Sequence, residues 1–179
     1  MLKNNIIFIG GVHGVGKSTL CKKISTELSI KHFSSSELIS MVDSSKVRTD
    51  KKANDIKGNQ NLLLEAKKLF LNEDRIYLLD GHFCLIDDKY LIKKIPMNLY
   101  ESLGIRGIII LTDDDGMILK RINYRDGYNS MYSLEFIRDF QQKEISYGKL
   151  IADKIKVPLR IINLSNDEED VVTIIRDFT

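Results

Sequence analysis

One stretch near the start of the chain constrains its fold more than any other. Ile6-Ile7-Phe8-Ile9 is apolar at every position and rich in β-branched residues, and Gly10-Gly11 stops it. That pattern predicts a short buried strand. The next residues, Gly11-Val-His-Gly14-Val-Gly16-Lys17-Ser18, match G-x-x-x-x-G-K-[ST] at every fixed position. Leu20, Ile24 and Leu28 then recur at i, i+4 and i+8, which predicts a helix from Lys17 to Leu28. Strand, glycine loop and helix in this order make an anion cradle. The glycines let the backbone wrap closely, so that successive N–H groups converge, and the helix adds its positive dipole end. Gly11, His13, Gly14, Val15, Gly16, Lys17, Ser18 and Thr19 are therefore the expected ATP-binding residues. Lys17 is expected to reach the β- and γ-phosphates, Ser18 to ligate Mg²⁺, and Thr19 to stand near the α-phosphate. His13 reads as a residue filling space within the loop.

A buried strand feeding a helix implies a sheet with covered faces, and the rest of the chain agrees. Ile76-Tyr77-Leu78-Leu79, then Ile105 with Ile108 to Leu111, then Leu159 to Leu164 read as further strands. Helical periodicity separates them. Ser34-Ser35-Ser36 before Glu37 marks a helix start. Leu62 to Phe70 reads as helix with Leu62, Ala66, Leu69 and Phe70 on one side. Met117 to Ile122 is helical, and Val171 to Phe178 closes the chain. Leu134 to Ile155 reads as a long helix with Ile137, Phe140, Ile145 and Ile151 inward. Continuous apolar strands alternating with helices mean a parallel sheet covered on both faces, with its ligand beyond the carboxyl ends of the strands. That rim carries Gly10–Ser18, Asp80–His82 and Thr112–Asp115.

Composition narrows the class. At 179 residues, 43% hydrophobic, one domain spanning 1–179 is expected, with a core that needs no staples. Lys+Arg of 27 nearly cancels Asp+Glu of 25, which argues against a strongly basic nucleic-acid binder without excluding a local patch. Cys21 and Cys84 form no CxxC pair, so a zinc framework or disulfide scaffold is not expected, and a reducing, cytoplasmic setting fits. No run approaches the ~20 apolar residues of a membrane helix. The Asp113-Asp114-Asp115 and Asp167–Asp170 clusters read as solvated loops or helix starts.

A phosphate loop needs an acid to help hold Mg²⁺. Asp80, at the end of a predicted strand, has that setting, although an Asp-Gly pair also simply starts a turn. Asp113-Asp-Asp-Gly116 matches the D-x-x-G of GTPases, but the guanine-reading Asn-Lys-x-Asp is missing from the sequence. The chain is too short for the extra domains of large motor ATPases, which leaves a small P-loop kinase. Phosphoryl transfer also needs cations over the γ-phosphoryl group. Lys120, Arg121, Arg125 and Arg138 follow the third predicted strand, and Arg121 and Arg125 share a helix face at i, i+4. The stretch Asn123 to Met131 reads as an excursion.

The Gly-Val-His-Gly-Val-Gly-Lys-Ser-Thr loop, the Leu-Leu-Asp80-Gly-His82 strand end, Arg121-x-x-x-Arg125-Asp126, and the helix with Ile137-Arg-Asp-Phe-Gln141-Gln-Lys-Glu144 come in a familiar order. The chain resembles the adenylate kinase-like nucleoside monophosphate kinases, closest to the small archaeal adenylate kinases and the nuclear adenylate kinases with an Asp-x-His motif. The resemblance implies an α/β fold: a P-loop NTPase three-layer αβα sandwich with a central five-stranded parallel sheet. It implies ATP and Mg²⁺, Asp80 assisting the metal, His82 near the transferred group, and Arg121 and Arg125 closing as a lid over about 121–133. Residues 34–60 would bind the acceptor, with Ser36 opening the segment. Such kinases grip the acceptor phosphate with an arginine soon after this helix begins. Here the nearest cations are Lys46, Arg48, Lys51 and Lys52, of which Arg48, Lys51 and Lys52 are the candidate contacts, while Gln60 could contact a base. The partner implied is a small-molecule acceptor, a nucleotide in kind. A nucleoside, sugar or polynucleotide end, or a switch acting through a protein partner, remains as the alternative.

Overall fold

The computed structural model describes residues 4–45, 56–125, 132–165 and 171–179. Five parallel strands form the central sheet: β1 (Ile6–Gly10), β2 (Lys31–Ser34), β3 (Tyr77–Asp80), β6 (Ile105–Thr112) and β7 (Leu159–Asn163), in the spatial order β2-β3-β1-β6-β7. A hairpin, β4 (Cys84–Ile86) and β5 (Ile92–Lys94), stands apart from it. The helices are α1 (Lys17–Leu28), α2 (Ser35–Ser45), α3 (Ile56–Phe70), α4 (Met97–Leu103), α5 (Asp115–Arg125), α6 (Leu134–Ile155) and α7 (Val171–Phe178). They flank the sheet in an α/β sandwich. Among the described residues no helix is long and apolar enough to cross a membrane.

The strands behave as their composition dictates. β1 is buried at all five positions, with Phe8 between Leu79 and Ile108 in register. Strands enclosed on both faces lose the alternation of a half-exposed sheet and become continuous apolar runs. The edge strand β2, Lys-His-Phe-Ser, is partly exposed throughout and carries no such run, which is why periodicity alone misses it. The hairpin and α4 also lack a long pattern.

Packing explains the helices. In α6, Ser133 caps the start by accepting the Phe136 N–H at 3.1 Å, and the buried stripe is Ile137, Phe140, Gln141, Glu144, Tyr147, Gly148 and Ile151. Ile145, expected inward, is only half-buried, and its place is taken by Glu144, 1% exposed. In α3, which packs against α2 and α4, Leu62 and Ala66 are buried as expected, but Leu69 and Phe70 are exposed. Asp113 is not a solvated loop residue: it is buried between Arg121 and Ser165, and only Asp114 and Asp115 start a helix. Asp167–Asp170, residues 46–55 of the expected acceptor segment and the 126–131 part of the excursion lie outside the described residues. Phe8, Phe83 and Tyr100 form an aromatic knot with ring centroids 5.1 to 5.6 Å apart, directly beneath the rim. Gly148 lets α6 approach this knot, since a Cβ there would sit 2.5 Å from Ile110 and 2.8 Å from Phe83.

Candidate functional site

The order β3-β1-β6 places the turns after these three strands side by side at the carboxyl rim, where open α/β sheets bind ligands. The glycine loop runs from β1 into α1. Gly14 (φ 76°) and Gly16 (φ 113°) adopt left-handed backbone that a side chain would strain, and Gly16 caps α1. Lys17 is 7% exposed, and its Nζ donates to the carbonyls of Gly11 at 2.7 Å and Val12 at 3.0 Å. Burial brings its pKa down to about 8, against the opposing pull of Glu144 and Asp80.

Asp80 ends β3 and is buried. Its Oδ2 accepts the Ser18 hydroxyl at 3.3 Å and lies 2.7 Å from His32 Nε2, while its carbonyl accepts the Ser35 hydroxyl at 2.9 Å. Ser18 and Asp80 thus bring a hydroxyl and a carboxylate together, hard oxygen donors that suit Mg²⁺. His32, on the edge strand, is absent from the sequence expectations because no motif marks it.

Glu144 closes the helix stretch that carries the resemblance, but the sequence reading gives it no role. Its Oε1 accepts the N–H of Gly11 at 3.2 Å and of Phe83 at 2.9 Å, and its Oε2 accepts Cys84 N–H at 2.7 Å. One helix carboxylate therefore ties the glycine loop to the turn after β3. Burial raises its pKa to about 7, against the downward pull of these N–H groups and of Lys17. The signal was present in the sequence: Glu144 falls on the stripe 137, 140, 141, 144, 148, 151 where a solvated acid does not belong.

His82 lies against His13 with centroids 4.0 Å apart and the rings tilted by 40°, and its Nδ1 lies 3.8 Å from Glu144 Oε1. Burial, then the nearby Lys17 and His13, hold it well below the usual histidine pKa, so its ring is neutral. On the far side, Arg121 pairs with Asp113 at 2.6 Å and donates to the carbonyls of Gly14 and Val15 at 3.3 and 3.2 Å. Burial pushes the Asp113 pKa upward, but the Ser165 hydroxyl and the Arg121 guanidinium prevail and hold it low. Arg138 instead pairs with Asp115 at 3.0 Å, and Lys120 is exposed.

Two adjoining cavities occupy the rim. The first, of 420 Å³, is lined by His13, Gly14, Gly16, Lys17, Ser18 and Thr19 of the loop, together with Asp80, His82, Arg121 and Arg125. The second, of 270 Å³, runs from His82 down to Gln60, Asn59 and the apolar floor of Phe8, Leu99 and Tyr100. Both share His13, Ser34, Ser36, Asp80 and His82. Gln60 is buried and its amide Nε2 has no hydrogen-bond partner. Two of the expected loop residues stand differently from the rest: Gly11 gives its N–H to Glu144, and the Val15 side chain is buried in the core. Arg48, Lys51 and Lys52 lie outside the described residues.

Glycine loop, helix start and parallel sheet together define a P-loop, nucleotide-binding fold. The AAA domain family matches residues 10–138, and the chain belongs to that family. No curated protein matches the sequence. Among solved structures, the chain is similar to an uncharacterized protein from Eubacterium ventriosum (15% identity, 98% of each chain covered, TM-score 0.51). A candidate kinase from Chloroflexus aurantiacus is similar at 14% identity, with 99% of this chain and 96% of that one covered and a TM-score of 0.52. A gluconokinase from Sinorhizobium meliloti is similar at 13% identity, with 99% and 91% covered and a TM-score of 0.51. At these identities the likeness is one of fold.

Proposed function

We propose that this chain is an ATP-dependent small-molecule kinase, passing the γ-phosphoryl group from ATP in the loop cavity to an acceptor in the adjoining one. The observation that carries this reading is the junction of the two cavities at Asp80 and His82. A hydrolase needs room for water beside the γ-phosphate, whereas a kinase needs a second built cavity in line with it.

In this reading Lys17 leaves its own loop carbonyls for the β- and γ-phosphates, while backbone N–H groups of residues 13–19 cradle the remaining oxygens. Ser18 and Asp80 would hold Mg²⁺, which when bound neutralises charge across the β- and γ-phosphates. Arg121 and Arg125, both lining the loop cavity, neutralise the charge that spreads over the transferred group. Residues 34–60 form the acceptor side and 121–133 the lid of one kinase domain spanning 1–179. Ser36 and Gln60 hold the acceptor, and Arg48, Lys51 and Lys52 supply cations to its phosphate. A reducing cytoplasm is the setting that suits it.

The adenylate kinase-like order of motifs and the unpartnered Gln60 amide support a nucleoside monophosphate-like acceptor, whose base could accept that N–H. A second reading rests on the second cavity's own lining. Among the described residues this lining carries hydroxyls, amides and apolar groups with Asp80, His13 and His82, and no Lys or Arg. That favours a hydroxyl acceptor, with Asp80 or the neutral His82 taking its proton.

ADP production from ATP and Mg²⁺, screened against nucleoside monophosphates, nucleosides, sugars and sugar acids singly, tests both. Many-fold stimulation by one acceptor is expected. A slow rate indifferent to every acceptor would replace the kinase by an ATP-dependent switch acting through a protein partner.

A further inference from the structure

Behind the loop, three side chains from three elements converge on one point. Cys21 of α1, His32 of β2 and Asp80 of β3 bring a thiol sulfur, an imidazole nitrogen and a carboxylate oxygen all within 4.8 Å of one another. The sheet sets this meeting. β2 pairs in parallel with β3, with Ser34 opposite Asp80, so His32 lies on the strand beside the carboxylate, and α1 packs over both strands. His32 Nε2 and Asp80 Oδ2 already lie 2.7 Å apart.

We propose that Cys21, His32 and Asp80 form a binding site for a borderline-soft divalent cation of the zinc class. Sulfur, nitrogen and oxygen in one cluster is a donor set for zinc and is a poor one for Mg²⁺, which demands oxygen in an octahedral array. Bond lengths of about 2.0–2.3 Å to zinc put tetrahedral ligands about 3–4 Å apart, so modest side-chain rotations close the cluster on an ion. Three protein ligands leave the fourth position to water. The site is enclosed but reachable. Cys21 is sealed in the core, while the His32 and Asp80 side chains are 10% and 7% exposed, and a 630 Å³ cavity opens on His32 and Ser18.

The site has a consequence that rests on the kinase reading. Asp80 is the carboxylate assigned there to Mg²⁺, and it cannot serve both ions. Zinc would therefore withdraw it and inhibit turnover.

The test uses the full chain without nucleotide, with Co²⁺ as a coloured stand-in and Zn²⁺ as competitor, so its failure leaves the kinase reading standing. Expected are one Co²⁺ per chain, a sulfur-to-cobalt charge-transfer band, and displacement of the band by Zn²⁺. Cys21→Ala should abolish the band, and His32→Gln should weaken Co²⁺ binding by about tenfold or more. His82→Asn and Cys84→Ala should leave both unchanged, because the other histidine pair and the other thiol are not ligands here. Absence of the band in the unaltered protein, its survival in Cys21→Ala, or its loss in Cys84→Ala overturns the proposal. Circular dichroism checks that each variant is folded. If Cys21→Ala does not fold, the more exposed His32→Gln carries the decision, and unchanged Co²⁺ affinity in it overturns the site.

Discussion

Glu144 and Lys17 show how one buried pair shapes the loop at the scale of single residues. Lys17 is the loop's only lysine. Lys17→Ala should lower turnover by about 10²–10³-fold, the usual effect of removing one charge-stabilising donor, as read by ADP production at saturating ATP. Glu144 holds the same loop from behind. Its folded pKa of about 7 stands above the ordinary value of 4.5, so the native chain binds this proton more tightly than the unfolded chain does. Its contribution to stability is therefore full below about pH 4.5 and is lost as pH rises toward 7. Glu144→Gln removes that titration. Thermal melts across this window should fall less steeply with pH in Glu144→Gln than in the unaltered protein, and equal slopes would show that the carboxyl titrates normally.

At the scale of elements, α5 and α6 are the parts that hold the rim. Arg121 straps α5 to the carbonyls of Gly14 and Val15 and to Asp113, so it sets the distance between α5 and the loop. Arg121→Ala should lower kcat more than it raises the KM for ATP, by about 10²-fold, if the guanidinium acts on the transferred group. A change confined to KM would make it a binding strap only. α6 reaches the core through Gly148. Gly148→Val would overpack Phe83 and Ile110 and should cost about 2 kcal/mol by urea unfolding. The elements legible in the sequence carry either a continuous apolar run or a long helical period: β1, β3, β6, α1 and α6 all stand where the pattern puts them. β2, the β4–β5 hairpin and α4 were not, because three to seven residues with mixed exposure leave no periodic signal. The site divides in the same way. Lys17, Ser18, Asp80 and His82 sit on motifs anchored to strand ends. His32 reaches the rim only through tertiary packing, which local sequence does not encode, whereas Glu144 is marked by its place on the apolar stripe of α6.

At the scale of the whole molecule, the parallel order β2-β3-β1-β6-β7 does two things at once. It centres the loop strand β1, and it sets the acid-bearing turn of β3 against the loop on one side and the α5 root of β6 on the other. The hairpin and α4, packed through Tyr100 and its hydrogen bond to the His82 carbonyl at 2.7 Å, then wall off a second cavity beside the first. On the proposed kinase reading, the two cavities meeting at Asp80 and His82 predict that the γ-phosphoryl group leaves ATP for an acceptor and not for water. The most direct measurement follows that group. With ATP labelled at the γ-phosphate, Mg²⁺ and the acceptor that stimulates ADP production, the account predicts label in an organic phosphate, in amount equal to the ADP formed, and lost in Lys17→Ala. Label recovered entirely as inorganic phosphate, at a rate no acceptor changes, would contradict it.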